Sequence, residues 1–291
     1  MKKYIALSLL SAVAFLTACK KDATPAPSAN VADAFIRTDN AANPADHQIY
    51  LLYKQTGVPV LYSDTVQRSP LTLLNIGYHI TSIDSLVTAT YLQNNDDILA
   101  GVNFVQDQVL PALGTGLRPY SVLLTDSLYT FQYSYLGKQQ VILNAYLGLQ
   151  ALVIGNVSAI KTLSPDALKV YKKDIFKNLL TVKFNQNDAV LKDFYAVSAA
   201  FYGKYAYGTD FTQYYIPAVA KENYGLLSNG TESPYGYPVD TDADDLAQYL
   251  NILLVLSTDE FTAKYGSYPL VMEKYNLFKT ALTALQFKLP S

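Results

Sequence analysis

Apolar and polar positions alternate with two different periods along this chain, and the switches between them mark its elements. From Asn43 to Gly57 the apolar residues Ile49, Leu51, Leu52 and Tyr53 follow a helical spacing. Asn43-Pro44 in front of them forms an N-cap and N1 pair, and Gly57 supplies the stop. Val58 to Tyr62 predicts a short strand, and Leu71 to Thr81 (LTLLNIGYHIT) alternates enough to predict another. Asn94 caps a helix through Ile98, Val102, Phe104, Val105 and Val109, closed by Pro111 and Gly114. Ser121 to Thr125 (SVLLT) and Gln140 to Tyr146 (QVILNAY) read as short buried strands.

From Leu147 onward the pattern turns helical. Leu149 to Leu163 is apolar on nearly all sides and predicts a buried helix. Ser164-Pro165-Asp166 starts the next helix, and Asn187-Asp188 opens one through Val190, Leu191, Phe194, Val197 and Phe201. Tyr202 to Gly236 is a long connection rich in Gly, Tyr and Asn, of the kind that covers a cleft. The stretch from Asp240 to Phe261 opens with Asp240, Asp242, Asp244 and Asp245 and then runs apolar, which predicts one core helix with acids at its positive end. Pro269 to Leu285 is a last amphipathic helix, and no internal repeat interrupts the series. These elements predict an α+β fold. Its first half mixes a small sheet with helices, and its second half is mainly helical. One domain is expected over 45–291, with a mixed lobe at 45–147 and a helical lobe at 148–291.

The N-terminus has a different logic. Lys2 and Lys3 precede an apolar run from Tyr4 to Leu16, too short for a span of about 20 residues, as in a secretory signal. It ends Leu16-Thr17-Ala18-Cys19, which resembles a bacterial lipoprotein signal: 1–18 would be removed and Cys19 would carry lipid. Residues 19–44 are then the anchor and a flexible Ala-, Pro-, Asn- and Ser-rich tether. The expected location is lipid-anchored at the outer membrane, on its periplasmic or surface face. Cys19 is the one cysteine, so the mature chain has no thiol for disulfides or metal. With 22 basic against 24 acidic residues and no basic block, nucleic acid is not an expected partner. Tryptophan is absent while there are 25 tyrosines, whose rings pack with the hydroxyl outward or stack on sugars and peptides.

Catalytic chemistry has few candidates. His47 and His79 stand alone, with no second ligand at metal spacing, and HExxH, GxSxG and P-loop signatures are missing. Asp244 and Asp245, with Glu222 or Glu232 from the loop, could serve a carboxylate hydrolase or an atypical metal site. Clustered aspartates at a helix start are more simply dipole partners.

Three short segments carry a resemblance. Asp244-Asp245-Leu246-Ala247-Gln248 is similar to the segment that opens the later site helix of the zinc metallopeptidase lipoproteins of Bacteroidota. Met272-Glu273-Lys274-Tyr275-Asn276-Leu277 resembles their closing helix, and Ile49-Tyr50 leading to Thr56-Gly57-Val58-Pro59-Val60 resembles their early helix and strand. Members are zincin-like and associated with SusC/SusD-type nutrient uptake, with HExxH on one helix and an acidic segment on a later one. Where HExxH is expected, this chain has Leu149 to Val157, so Val153, Ile154 and Val157 are degenerate site positions together with Asp244, Asp245 and Gln248. The resemblance thus implies a zincin-like scaffold without metal or cofactor. It would bind peptide or glycan through residues such as Tyr205, Tyr207 and Tyr235, beside a SusC/SusD-type complex. A structural or assembly lipoprotein is the further alternative.

Overall fold

The structure, a computed structural model, describes residues 33–76, 87–135, 137–227, 233 and 235–289. Cys19, His79 and Glu232 lie outside them. Along the chain come α1 (Pro44–Thr56), β1 (Val60–Leu61), β2 (Thr65–Arg68), β3 (Leu71–Leu73), β4 (Thr88–Tyr91) and α2 (Asn95–Phe104). β5 (Val122–Ser134), β6 (Gly137–Ile142), β7 (Ala145–Leu147), β8 (Leu152–Ile154), α3 (Pro165–Gln186) and α4 (Lys192–Ser198) follow. The last part holds β9 (Tyr205–Ala206), β10 (Tyr215–Ile216), β11 (Tyr237–Pro238), α5 (Asp242–Leu253), α6 (Thr258–Tyr265) and α7 (Pro269–Ala284). The fold is a mixed α+β arrangement with small sheets.

The main sheet is assembled on β5. Val122, Leu123, Leu124 and Thr125 are all buried, as expected of a strand covered on both faces between parallel neighbours. β1 and β8 run parallel to it on either side, in registers Val60↔Val122 and Leu123↔Val153, and β7 closes the order antiparallel to β8. The outer half of β5 leaves this core and pairs antiparallel with β4 and β6.

Local caps form where the side chains call for them. Asn43 Oδ1 accepts from Ala45 N and Asp46 N at the head of α1, and Gly57 ends it at φ 73°. Asn94 and Ser164 cap α2 and α3 in the same way. Packing begins ahead of the expected tether boundary, because Phe35 is buried with its ring edge-on to Tyr120 at 4.9 Å. From Phe35 onward the described chain forms one compact unit.

Four expected elements are redrawn. Leu149 to Leu163 is not a helix: Leu152-Val153-Ile154 is the buried strand β8, and Val157 to Thr162 is a 3₁₀ turn. A short apolar run fits a core strand as well as a buried helix, and β-branched Val153 and Ile154 between Gly148 and Gly155 decide for the strand. Val153 and Ile154 therefore stand on a strand, and Val157 opens the 3₁₀ turn rather than an α-helix. The stretch Asp240 to Phe261 is two helices, because Ser257 and Glu260 form a capping box that starts α6 after a turn at Leu254. Gln140 to Tyr146 divides into β6 and β7 around Asn144, whose amide donates to Asp174 Oδ2 at 2.8 Å. The strand expected over Leu71 to Thr81 ends at Leu73 as β3, residues 74–76 are not strand, and 77–81 lie outside the described residues.

One apolar core joins both halves of the chain, from Ile49 and Leu52 of α1 through the sheet to Phe278 and Leu282 of α7. A small satellite core of Ala206, Ile216, Leu226, Tyr237 and Val239 lies under β9, β10 and β11.

Gly155 shows how closely β8 is packed. A Cβ there would lie 2.5 Å from Leu128 Cβ and 2.7 Å from Leu143 O. Gly155→Ala is expected to cost about 1–3 kcal/mol in urea unfolding. Gly116→Ala, with open space around it, is expected to stay within about 0.5 kcal/mol. Equal midpoints for the two variants would show that residues 152–155 are not packed as described.

Candidate functional site

The acidic start of α5 sets the register of the site. Thr241 Oγ1 accepts from Asp244 N at 3.2 Å, and Asp244 Oδ2 accepts from Thr241 N at 3.2 Å and from Thr241 Oγ1 at 2.7 Å. That box leaves Asp244 at the surface and turns Asp245 inward, where it is 1% exposed. From α7, Lys274 reaches the same point with no exposed surface and donates to Asp245 Oδ2. Tyr202 OH donates to the same oxygen at 2.5 Å. Lys274 Nζ also donates to Ser198 Oγ at 3.0 Å, and Ser198 Oγ donates to Tyr224 O at 2.8 Å. Phe194 and Tyr249 wall the ammonium, with ring centroids 4.2 and 5.1 Å from Nζ.

Electrostatics follow from this burial. Loss of water pushes the Asp245 carboxyl up to about 6, against the pull of Lys274 and Tyr202. The same loss pushes Lys274 down, against the pull of Asp245. Both partners are thus drawn toward their neutral forms, and each holds the other charged. Tyr202 and Tyr249 are raised well above the phenol range by burial and then by Asp245. Burial, then Asp242, Asp245 and Asp188, push Tyr195 up to about 12. Asp244 is instead lowered by the bonds from Thr241. Two carboxylates pushed apart could make an acid and a base. Here Asp245 is sealed from water and Asp244 is occupied by Thr241. Asp245 Oδ1 and Gln248 Oε1, one turn apart on α5, are buried and meet no hydrogen-bond donor among the described residues.

Next to this network stands a tyrosine shelf. β9 pairs parallel with β10, Tyr205 opposite Tyr215, and antiparallel with β11, Tyr237 opposite Ala206. Ala206, Ile216 and Tyr237 face inward, so Tyr205 and Tyr215 face out. With Tyr207 and Tyr214 they line an open cleft of about 650 Å³ whose other side includes Gly203, Lys204, Pro238 and Val239. The Tyr207 and Tyr215 centroids are 6.2 Å apart. Gly236, at φ 128°, brings its backbone against the shelf, where a Cβ would lie 2.9 Å from Tyr205 Cε1 and from Ala206 O. Lys221 anchors the turn below by a two-oxygen bond to Asp240, at 3.2 Å from Oδ1 and from Oδ2.

Of the ligand contacts expected from sequence, Tyr205 and Tyr207 come together on the shelf, whereas Tyr235 is 86% exposed and does not line it. Tyr214 and Tyr215 carry no local sequence signal beyond the general abundance of tyrosine in this connection. Lys274 was hidden within a closing helix, although it follows Val271 and precedes Phe278 at core spacing. His47 Nδ1 lies 2.7 Å from Asp39 Oδ1 in an exposed pair. Glu222 sits in the 3₁₀ turn Lys221–Tyr224. Among the described residues, no group of three or more His, Cys, Asp or Glu could hold a metal ion, and no helix is long and apolar enough to cross a membrane. Comparison with models of protein families, with curated proteins and with solved structures finds no match for this chain.

Breaking the buried pair from one side leaves a lone charge in the core. Lys274→Met is expected to cost about 3–5 kcal/mol, and the double variant Lys274→Met/Asp245→Leu to recover most of that loss. A double variant as unstable as the single one would show that the charges do not act as a pair. The folded Asp245 carboxyl has the higher proton affinity, so its contribution is complete below pH 3.8 and is lost as pH rises through about 6. Wild type is therefore expected to gain stability relative to Asp245→Asn as pH falls from 7 to 4. A pH-independent difference in urea midpoints would contradict this.

Proposed function

We propose that this chain is an outer-membrane or surface lipoprotein, anchored through lipid on Cys19, that binds peptide or glycan without catalysis. Its setting would be a SusC/SusD-type nutrient-uptake complex. The observation that carries the reading is the shelf, where Tyr205 and Tyr215 on two short strands and the flanking Tyr207 and Tyr214 line one cleft. Tyrosine offers a broad apolar face and a hydroxyl at small cost in side-chain order, which suits ligands that are partly apolar and partly hydroxylated or amidic. The backbone under those rings is held to the buried network at Tyr202 and, separately, to Lys221 at Asp240, which favours a preorganised shelf.

The zincin-like part of the reading moves to a different helix pair. α3 packs against α5, and Lys177 Nζ of α3 donates to Asn251 Oδ1 of α5 at 2.9 Å. A zincin-like site needs its histidine pair on the helix facing the acidic one, and α3 carries no histidine, cysteine or glutamate. Asp245, at the acidic position, is committed to Lys274. These residues support a scaffold used for binding.

Glycan and peptide arrays probed with the full chain test the shelf. Tyr207→Ala/Tyr214→Ala is expected to weaken the strongest binder at least about tenfold, with the unfolding midpoint held within about 0.5 kcal/mol. No binder for wild type, or equal binding by the variant, overturns the proposal. Zinc incubation followed by desalting and metal analysis is expected to leave no stoichiometric zinc. One zinc per chain would overturn the non-catalytic reading.

A further inference from the structure

A second cleft, of about 790 Å³, shares no lining residue with the shelf. It opens between the 117–120 loop, the 146–151 turn joining β7 to β8, and the last turn of α3. Its size falls in the range of small-molecule sites. The inner surface is apolar, with buried Leu117 and Ala151 and the half-buried Leu147 and Val182. Tyr120 and Tyr146 add aromatic walls, and the edge-on packing of Phe35 steadies the Tyr120 ring.

Charge distinguishes this cleft. Arg118 from the loop and Lys183 from α3 both line it, and no described lining residue is an aspartate or glutamate. In a chain with a net charge of −2, that is a local excess of positive charge. Arg118 Nη1 donates to Thr56 O at 3.3 Å, which leaves guanidinium donors for another acceptor. Lys183 in the last turn suits the helix dipole, but the dipole does not account for a second cation, from a different element, lining the same cleft. Gln150 and Gln186 supply amide groups in the same cleft.

We propose that this cleft binds a small organic carboxylate: Arg118 and Lys183 take the anionic group, and the apolar floor with Tyr120 and Tyr146 takes an apolar body. A guanidinium matches a carboxylate with paired hydrogen bonds, and an ammonium adds a point charge that tolerates several ligand poses. The proposal does not rest on the shelf or on the family resemblance, and either could fail without the other.

The test is a titration of the full chain with a panel of aryl and alkyl carboxylates, phenylpropanoate among them, followed by ligand-observed NMR. Each carboxylate is paired with its neutral amide, and inorganic phosphate is a separate arm. At least one carboxylate is expected to bind about tenfold more tightly than its amide. Raising salt from about 0.05 to 0.5 M should weaken it several-fold. Arg118→Glu/Lys183→Glu should abolish the preference. Lys183→Met, which retains an apolar stem, should reduce it without moving the unfolding midpoint. The proposal is overturned if no carboxylate binds, if amides bind as well, or if the preference survives both Lys183→Met and the double variant. Phosphate displacing the carboxylate at equal affinity would assign an inorganic anion and also overturn it.

Discussion

A lysine and an aspartate sealed from water hold the second half of this molecule together. Lys274 and Asp245 come from α7 and α5, and they meet Ser198 at the end of α4 and Tyr202 just beyond it. Neither charge would survive alone in such a place. Ion pairs of this kind contribute little net stability compared with apolar residues of the same shape, but they penalise any arrangement that separates them. The pair therefore acts on specificity: α7 cannot slide along α5 without stranding a charge. Phe194, Tyr249 and Phe278 pack around it as one aromatic cluster, with Phe194 and Tyr249 edge-on at 4.9 Å.

The same network governs the shelf. Tyr202 is bonded inward while the next residues, Gly203 to Tyr207, turn outward to build the cleft. Asp240, just before the cap of α5, holds Lys221 from the other side of that connection. A long Gly- and Tyr-rich segment is thereby held at Tyr202 by Asp245 and at Asp240 by Lys221, and among the described residues between them lie two-residue strands and the 3₁₀ turn Lys221–Tyr224. Its satellite core is small, so the anchors carry much of its order.

Legibility in the sequence divided along physical lines. The starts of α1, α2 and α3 were readable because a side chain one residue ahead bonds a backbone N–H two or three residues on, a wholly local event. β8 was not readable by period, because its apolar run is set by what covers it rather than by its own sequence, and Gly148 and Gly155 were the remaining clue. The break in the Asp240 stretch was available in Ser257 and Glu260 but was outweighed by the apolar run before it. Tyrosine abundance in the 202–236 connection pointed to Tyr205 and Tyr207 but not to Tyr214 and Tyr215, and it included Tyr235, which stays outside the cleft. Which rings converge depends on Ala206 pairing across to Tyr237, a contact between residues 31 positions apart by their numbers. Lys274 is the least legible residue of the network. A charged residue at core spacing on an amphipathic helix is a contradiction within the sequence, and such contradictions mark places where tertiary structure has supplied a partner.

β5 has one more consequence. It is 13 residues long, about 43 Å at the usual rise, yet only its first few residues lie in the parallel core. The remainder extends as a ribbon with β4 and β6, carrying exposed Tyr133 and Ile142. One continuous backbone therefore spans two environments. Amides at Val122 to Leu124 are expected to exchange with solvent only when the domain opens, and those in the exposed outer part of β5 through local opening. Proton exchange along this single strand should grade from the slowest sites in the molecule to nearly free ones, making β5 an internal scale for the domain's cooperativity.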